Sequence, residues 1–117
     1  MTISEVSGKY EIPQDTLRYY ERIGLISPIN RNHRGNRDYS EEDCKWVEFI
    51  KCMRSAGLPI EALLEYTALI QLGDETVEAR RELLVEQRRQ LRARLEEMEK
   101  TLERLDKKIA HYERTGD

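Results

Sequence analysis

The feature that most constrains this chain is its C-terminal third, where residues 75–115 contain neither glycine nor proline. Apolar side chains recur in this segment at alternating spacings of four and three residues, which is a heptad pattern. The pattern predicts one long helix with a narrow apolar stripe. The residues that we assign to this stripe as dimerisation contacts are Leu84, Leu91, Leu95, Met98, Leu102, Leu105 and Ile109.

A single apolar stripe on an otherwise charged helix needs a facing stripe before the helix is stable. The composition agrees, since only 38% of the 117 residues are hydrophobic and 37% are charged. A chain of this size and composition buries too little apolar surface to fold entirely alone. We therefore predict a homodimer in which the long helices of two chains form a coiled coil. The heptads leave parallel and antiparallel pairing both open.

The bulk properties exclude several classes of protein. No stretch approaches the ~18–20 apolar residues that cross a bilayer, and the N-terminus lacks the regions of a secretion signal. We therefore expect a cytoplasmic protein without membrane contact. Cys44 and Cys52 are too few for a disulfide framework and lack the paired spacing of a zinc site. We expect reduced thiols, no bound metal and no cofactor.

The N-terminal residues predict two short helices joined by a tight turn. Thr2 and Glu5 have the spacing of a capping box, which starts a first helix that stops near residues 8–10. Pro13 has the backbone angle favoured where a helix begins, and Gly24 is a typical residue just after one ends. The second helix should therefore cover residues 14–23, and the two together form a helix-turn-helix.

The second helix divides into an inward and an outward face. Leu17 and Tyr20 recur at helical spacing and should face the core. The polar and aromatic side chains left outside or at the edge are Thr16, Arg18, Tyr19 and Arg22. An arginine beside an exposed tyrosine suits phosphates and guanine edges, which favours a DNA-recognition helix. The alternative is a solvated polar rim without a binding role.

Residues 25–40 combine turn-forming residues with local positive charge. Pro28, Gly35 and several asparagines lie between Ile29 and Tyr39, a composition that suits a short β-hairpin. The net charge of −3 argues against bulk binding of nucleic acid, yet residues 27–37 contain arginines and no acid. We interpret the hairpin as a wing whose arginines meet DNA backbone phosphates. The alternative is a flexible solvated loop.

Two more helices complete the predicted head. Residues 40–43 form a second capping sequence, and the apolar residues that follow at helical spacing are Trp46, Phe49, Ile50 and Met53. This third helix should end at Gly57, and Pro59 should open a fourth that ends at Gly73. The predicted fold is mainly α, with a winged helix-turn-helix head of four short helices and a β-hairpin over residues 1–73. A dimerisation helix follows over residues 75–115.

These segments together resemble the MerR family of bacterial transcription regulators. The resemblance lies in TLRYYERIGLI at residues 16–26, in RGNRDY at residues 34–39 and in GLPI at residues 57–60. It extends over essentially the whole chain. The family has a winged head, two further helices and a long helix that pairs antiparallel in a homodimer, so the resemblance implies an antiparallel coiled coil. One departure is Asn36, which stands where the family usually has an aromatic residue.

The resemblance also implies a mechanism and a set of contacts. Family dimers bind an inverted repeat in double-stranded promoter DNA whose spacer is longer than RNA polymerase prefers, and they control transcription by distorting it. The residues implied as DNA-binding are Thr16, Arg18 and Tyr19 on the second helix, Arg34, Arg37 and Tyr39 in the wing, and Arg54 on the third helix. Arg22, on the outward face of the second helix, joins this predicted set.

The inducer is less constrained by the sequence. Residues 50–54, IKCMR, together with GLPI, are similar to the Nml/AdhR-type branch, whose members answer aldehydes or thiol-reactive electrophiles through a cysteine here. Cys52 is thus a candidate sensor for a small electrophilic inducer in a stress response, and the alternative is an unreactive apolar filler. A disulfide with Cys44 is excluded, because eight residues of helix separate the Cα atoms by about 12 Å.

Other classes of protein fit the sequence less well. An enzyme is not expected, because no nucleophile lies beside a base and no glycine-rich phosphate loop is present. A metal-responsive regulator stays an alternative, although the cysteines that such family members carry after the long helix, near the C-terminus, are missing here. A coiled-coil adaptor would account for residues 75–115 but would leave the arginine-rich wing unexplained.

Overall fold

The computed structural model describes residues 1–115, which form five α-helices and one short 3₁₀ turn. The helices are α1 (Ile3–Tyr10), α2 (Gln14–Arg22), α3 (Glu41–Ser55), α4 (Ile60–Gln71) and α5 (Val77–Thr115), and the 3₁₀ turn (Asp74–Thr76) joins α4 to α5. The chain divides within α5 into two compact units, Met1–Leu83 and the described residues from Leu84 onward. The predicted helix-turn-helix, the two later head helices and the long helix are confirmed.

Side-chain caps start α1 and α3 as the sequence predicts. The Thr2 hydroxyl accepts a hydrogen bond from the Glu5 N–H at 3.1 Å, and the Glu5 carboxylate accepts one from the Thr2 N–H at 2.8 Å. Ser40 and Asp43 form the same reciprocal pair before α3. These bonds satisfy N–H groups that no carbonyl within the helix can reach, so they determine where each helix begins.

Helix α2 ends because Gly24 adopts a φ of 86°, a left-handed conformation that costs glycine little. The N–H groups of Leu25 and Ile26 then both donate to the Tyr20 carbonyl, at 2.9 and 3.1 Å. This reversal carries Leu25 and Ile26 into the core, where both are almost fully buried.

The core of the first unit gathers apolar residues from α1 to α4 and from the segment between α2 and α3. Its buried members are Val6, Ile12, Leu17, Leu25, Ile26, Ile29, Tyr39, Cys44, Val47, Ile50, Leu58 and Leu63. Leu17 is fully buried as predicted. Trp46 packs at the edge of this cluster and donates its indole N–H to the Leu25 carbonyl at 2.8 Å. The inward face of α2 is therefore held against the core.

The prediction of a β-hairpin wing is wrong, because the described part of the chain contains no β-strand. Residues 27–39, called the wing loop below, hold a single antiparallel bridge between Arg31 and Arg37. The turn between them is built by Asn32, whose side-chain oxygen accepts from two backbone N–H groups at 2.9 and 3.1 Å. Because a side chain takes these donors, the bridge does not extend into a ladder of strand hydrogen bonds.

Most side chains of the apolar stripe on α5 are exposed to solvent in the single chain. The stripe residues from Leu91 to Ile109 are each between 36% and 67% exposed, whereas Leu84 is half-buried. The rest of the helix is charged, and several of its ion pairs join residues three apart, such as Glu97 and Lys100. Across residues 1–115, no helix combines the length and apolarity that crossing a bilayer requires.

Candidate nucleic-acid interface

The outward face of α2 presents the side chains that the sequence predicts there. Arg18, Tyr19 and Arg22 are exposed, and Thr16 is half-buried. The guanidinium carbon of Arg22 lies 5.3 Å from the centre of the Tyr19 ring, within reach of a cation–π contact. Because Leu17 holds the opposite face in the core, the direction in which this face points is determined by packing.

The Arg18 side chain is held along the helix by two neighbours of the first turn. Its guanidinium donates to the Asp15 carboxylate at 3.0 Å and to the Gln14 side-chain oxygen at 3.3 Å. The Asp15 side chain is 98% exposed, so water screens the ion pair strongly. Exposed pairs of this kind contribute about 0.2–1 kcal/mol. A phosphate or a base edge can therefore replace Asp15 as the partner of Arg18 at small cost.

The tip of the wing loop is shaped by a hydrogen bond from one of its arginines. The Arg31 guanidinium donates to the Gly35 carbonyl at 2.7 Å, across the turn. Gly35 itself has a φ of 81°, which L-residues rarely adopt. Arg34, at the tip, is exposed and takes part in no ion pair within residues 1–115. Its charge is thus available to a polyanion.

One acidic residue joins the wing loop to α2. The Glu21 carboxylate accepts from Arg37 Nε at 2.7 Å with one oxygen and from the Ile29 N–H at 3.1 Å with the other. The side chains of Arg37 and Glu21 are only 22% and 17% exposed. Arg37, which the sequence predicts as a DNA contact, therefore lies with its Nε committed to an ion pair inside the first unit.

The titration of Glu21 reflects this position. Burial raises the pKa of the Glu21 carboxyl. The hydrogen bonds from Arg37 and Ile29, together with the nearby charges of Arg37 and Arg31, lower this pKa by a larger amount. The net pKa lies below the ordinary value of 4.5. The carboxylate is consequently ionised at neutral pH, and both of its partners stay bound to it.

Tyr39, also predicted as a wing contact, lies in the core with only 2% of its surface exposed. Its backbone N–H donates to the Met1 carbonyl at 2.8 Å, which ties the end of the wing loop to the start of the chain. The Tyr39 hydroxyl is buried without a hydrogen-bond partner among the described residues. Burial raises the pKa of this hydroxyl. The buried Tyr39 side chain therefore does not present its ring or hydroxyl to DNA.

Arg54 and Thr16 come from different helices but line the same cleft. This cleft is formed by the turn between α1 and α2, by α2 and by the end of α3. Arg54 is exposed near the end of α3, and its guanidinium donates to the Leu58 carbonyl at 2.9 Å. Thr16 forms part of the opposite wall, from α2. The sequence could not place these two residues together, because 38 positions separate them.

The two cysteines differ in access. Cys44 is buried and its thiol lies 3.7 Å from the Met1 sulfur, whereas Cys52 is exposed on α3. A reagent in solution can therefore reach Cys52 without unfolding the head. Among the described residues, no group of three or more histidine, cysteine or acidic side chains is arranged to hold a metal ion.

Two residues of this surface were missed by sequence reasoning. Glu21 carries no motif of its own, since an acid on a helix is usually solvated, and only its partner Arg37 reveals its role. Lys51 also lines the cleft beside Arg54 and donates to the Glu11 carbonyl at 3.1 Å. Its spacing of three residues from Arg54, which puts both on one side of a helix, was a usable signal.

Comparison with known proteins relates this geometry to a family of regulators. Residues 1–69 match the family model described as MerR HTH family regulatory protein, and residues 45–108 match the model described as MerR, DNA binding. The chain is 57% identical over 91 residues to the HTH-type transcriptional regulator AdhR of Bacillus subtilis. This match covers 78% of this chain and 65% of AdhR. The chain thus spans slightly less than two thirds of that relative's length.

Solved crystal structures of MerR family regulators have a similar fold. A MerR family transcriptional regulator from Listeria monocytogenes matches with a TM-score of 0.91 at 50% identity, covering 97% of this chain and 86% of that chain. HiNmlR, described as a MerR family regulator that lacks the sensor domain and is bound to promoter DNA, matches with a TM-score of 0.86 at 26% identity. That match covers 97% of this chain and 90% of HiNmlR, so it includes the long helix.

Proposed function

This chain belongs to the MerR family of helix-turn-helix transcription regulators, and on that premise we propose that it binds an inverted repeat in double-stranded promoter DNA as a homodimer. Each head places α2 in the major groove of one half-site. The observation that carries the proposal is the outward face of α2, where Arg18, Tyr19 and Arg22 stand exposed on a helix held by its opposite face. Those side chains can reach base edges and phosphates.

The wing loop supports the same proposal through its charge. Arg34 is exposed at the tip of a loop that Glu21 fastens to α2, so a strand of DNA beside the groove meets a cation at a constrained distance from the helix. Arg37 contributes to this arrangement by its ion pair with Glu21. HiNmlR, which has a similar fold, is described as bound to promoter DNA.

The homodimer rests on α5. Its apolar stripe is exposed along Leu91 to Ile109 in a single chain, and a second copy of the same stripe would cover it as an antiparallel coiled coil. At about 25 cal/mol per Å² of buried apolar surface, covering several leucines on each helix stabilises the pair by several kcal/mol. The two heads would then lie at a separation set by the paired helices, which selects the half-site spacing.

Regulation would follow from the shape that the dimer imposes on its DNA. Binding at two half-sites can offset the few kcal/mol that bending and untwisting cost, so the dimer can hold a promoter in a form that RNA polymerase uses better or worse. We place this activity in the cytoplasm. Binding and distortion are separable states, and an inducer can select between them.

The DNA proposal is tested by titration of duplexes with the purified chain. An inverted-repeat duplex, isolated with the wild-type protein from a random pool, is compared with a random-sequence duplex of equal length. Arg18→Ala should lower affinity for the selected duplex at least tenfold and remove most of the preference for it, because a bidentate base contact discriminates by about 1–3 kcal/mol. Arg89→Ala removes an exposed arginine from a similar pair on α5 and should change neither value. Equal wild-type affinity for both duplexes would refute the proposal.

We further propose that Cys52 receives a small electrophilic inducer. Its exposure on α3, against the burial of Cys44, supports this assignment. Peptide-level mass spectrometry after treatment with methylglyoxal, or with diamide and glutathione, should show a modified thiol at position 52 in the wild type and in Cys44→Ser. The Cys44 thiol of Cys52→Ser should stay unmodified, because it is buried. A promoter fusion should lose its response to the same reagents in Cys52→Ser while DNA affinity stays unchanged. A full response in Cys52→Ser would overturn the sensor assignment.

A further inference from the structure

The bend between α4 and α5 is short and is closed by hydrogen bonds. Helix α4 ends at Gln71 and α5 begins at Val77, with the 3₁₀ turn Asp74–Thr76 between them. Gly73, just before this turn, has a φ of 99° and a ψ of −171°. Residues with a side chain rarely adopt this conformation, although the space around an added Cβ at Gly73 is open. The direction in which the first turn of α5 leaves α4 therefore depends on the backbone at this glycine.

Arg80, one turn into α5, binds back across this bend. Its Nη2 donates to the Gly73 carbonyl at 2.7 Å, and its Nε donates to the Thr76 hydroxyl at 3.0 Å. The Thr76 hydroxyl lies 2.6 Å from the Leu69 carbonyl and 2.7 Å from the Gly73 carbonyl, and it can donate its single hydrogen to either. These four residues, called the junction clamp below, connect the last turn of α4 to the first turn of α5.

The junction clamp places a cation where α4 ends. The last carbonyls of a helix carry partial negative charge, so a positive group is favourable beside them. Arg80 is half-buried and forms no ion pair within residues 1–115. Hydrogen bonds from a charged donor are shorter and stronger than those between neutral groups. Because the guanidinium is planar and always ionised, its two bonds resist a rotation of the first turn of α5 relative to α4.

We propose that Arg80 is a positioning residue that determines which spacing of half-sites the dimer accepts. The inference rests on the proposed function, because α5 is the element through which the two heads would be joined. A rotation of about 10° at the junction moves a point roughly 20 Å away by about 3.5 Å, which is about one base-pair step. A clamp that limits this rotation therefore limits the separations at which both copies of α2 can enter the major groove. Arg80 acts through the direction of α5 and not through a contact with DNA.

The test measures binding to a series of duplexes that differ only in the spacer of the selected inverted repeat. Its two halves are held at their original spacing, or moved apart or together by one base pair. Each such step also turns one half-site by about 35° around the duplex axis, so the wild type should bind the original spacing at least about tenfold more tightly. In Arg80→Met, which keeps much of the side-chain length but no donor, this spacing ratio should fall to about threefold or less, because a looser junction adapts without deforming DNA.

Two variants of Thr76 test the junction clamp without changing its charge. Thr76→Val removes the hydroxyl that lies between Arg80 and Leu69, and it should lower the spacing ratio as Arg80→Met does. Thr76→Ser keeps a hydroxyl there and should keep the wild-type ratio. Arg89→Met removes an exposed arginine farther along α5 and should also keep it. Since each ratio compares duplexes bound by one protein sample, a loss of folded protein lowers all affinities equally and leaves the ratio unchanged.

Salt dependence separates positioning by Arg80 from a direct contact with DNA. A phosphate neutralised by Arg80 would add about 0.9 to the slope of log affinity against log salt concentration. Arg80→Met should therefore keep the wild-type slope on the duplex with the original spacing. A slope smaller by about 0.9 would assign Arg80 to the DNA interface and overturn the positioning role.

The outcomes also distinguish this inference from the proposal on which it rests. If the wild type binds the selected and random duplexes equally, the sequence-specific function fails. If the wild type prefers the selected repeat, and either Arg80→Met or Thr76→Val retains its full spacing ratio, the positioning role alone fails. A wild type that binds the selected repeat equally at every spacing would also overturn that role, because no separation is then enforced. So would a ratio lowered to the same extent in Arg89→Met, because the effect would then come from lost charge on α5.

Discussion

Replacing Glu21 should detach the wing loop from the recognition helix. The carboxylate holds two donors that come from different parts of the loop, the Arg37 guanidinium at 2.7 Å and the Ile29 N–H at 3.1 Å. Glu21→Ala leaves both without a partner in a site where the Arg37 side chain is only 22% exposed. An unpaired buried N–H costs about 1–3 kcal/mol and an unpaired charge more, and partial access of water reduces both.

The expected loss of unfolding free energy is about 2–4 kcal/mol for Glu21→Ala and about 1–2 kcal/mol for Glu21→Gln, which keeps one acceptor for Ile29. Urea unfolding measures both values, at equal protein concentration because a dimer is expected. The control is Glu97→Gln, which removes the acid of an exposed pair with Lys100 and should change stability by less than about 0.5 kcal/mol.

DNA affinity supplies a second, independent readout. A loop that is no longer fastened to α2 must be ordered when DNA binds, so Glu21→Gln should bind the selected duplex about tenfold more weakly even where the protein is fully folded. Glu97→Gln should bind as the wild type does. If Glu21→Gln matches the wild type in both stability and affinity, the wing loop does not depend on this ion pair, and the reasoning is refuted.

The pH dependence of stability follows from the lowered pKa of Glu21. The unfolded chain takes up a proton at the ordinary value of 4.5, whereas the folded chain holds the carboxylate ionised to lower pH. The contribution of Glu21 is therefore complete above pH 4.5 and decreases as pH falls through the folded pKa. The stability difference between the wild type and Glu21→Gln should accordingly be constant near neutral pH and shrink in acid. A difference that grows in acid would contradict this sign.

Three further predictions concern packing and assembly. Gly24→Ala should destabilise the chain by about 1 kcal/mol or more because of its φ of 86°, whereas Gly8→Ala, within α1 and with open space around the added methyl, should stabilise it by about 0.5–1 kcal/mol. Equal effects in thermal melts would exclude the backbone explanation. Tyr39→Phe removes a buried hydroxyl that has no partner among the described residues, so stability should stay equal or rise by up to about 1 kcal/mol, with DNA affinity unchanged. A loss of affinity would return Tyr39 to the DNA-contact set. Leu102→Asp should convert the dimer to a monomer in light scattering and abolish binding to the inverted repeat, while Lys100→Asp, outside the apolar stripe, should stay dimeric. A dimeric Leu102→Asp would place the interface elsewhere.

Much of this architecture follows from the sequence because the signals are local. Thr2 with Glu5, and Ser40 with Asp43, lie within one helical turn, so the capping bonds could be predicted from spacing alone. The exposure of Arg18 and Tyr19 follows similarly from the helical period once Leu17 is placed inside. The heptad stripe on α5 is also a local pattern, since helical geometry by itself puts its members on one face.

The wing loop shows where local signals stop. Its composition predicted a turn with a hairpin, and a turn with one bridge is present. The choice between strands and a loop depended on where the backbone donors found partners. Asn32 took two of them and Glu21, on another element, took the N–H of Ile29. Turn propensity contains no information about the bond between Glu21 and the Ile29 N–H, because Glu21 lies outside the turn.

The sequence by itself determined which segments are helical, which face of α2 turns outward and which stripe of α5 is apolar, because each depends on residues within about two helical turns. Only the tertiary structure decided that Arg37 binds Glu21, 16 positions away, and that Lys51 binds the Glu11 carbonyl, 40 positions away. It also decided that Tyr39 is in the core. These outcomes depend on how separate elements approach one another in space, and no period or motif along the chain encodes that approach.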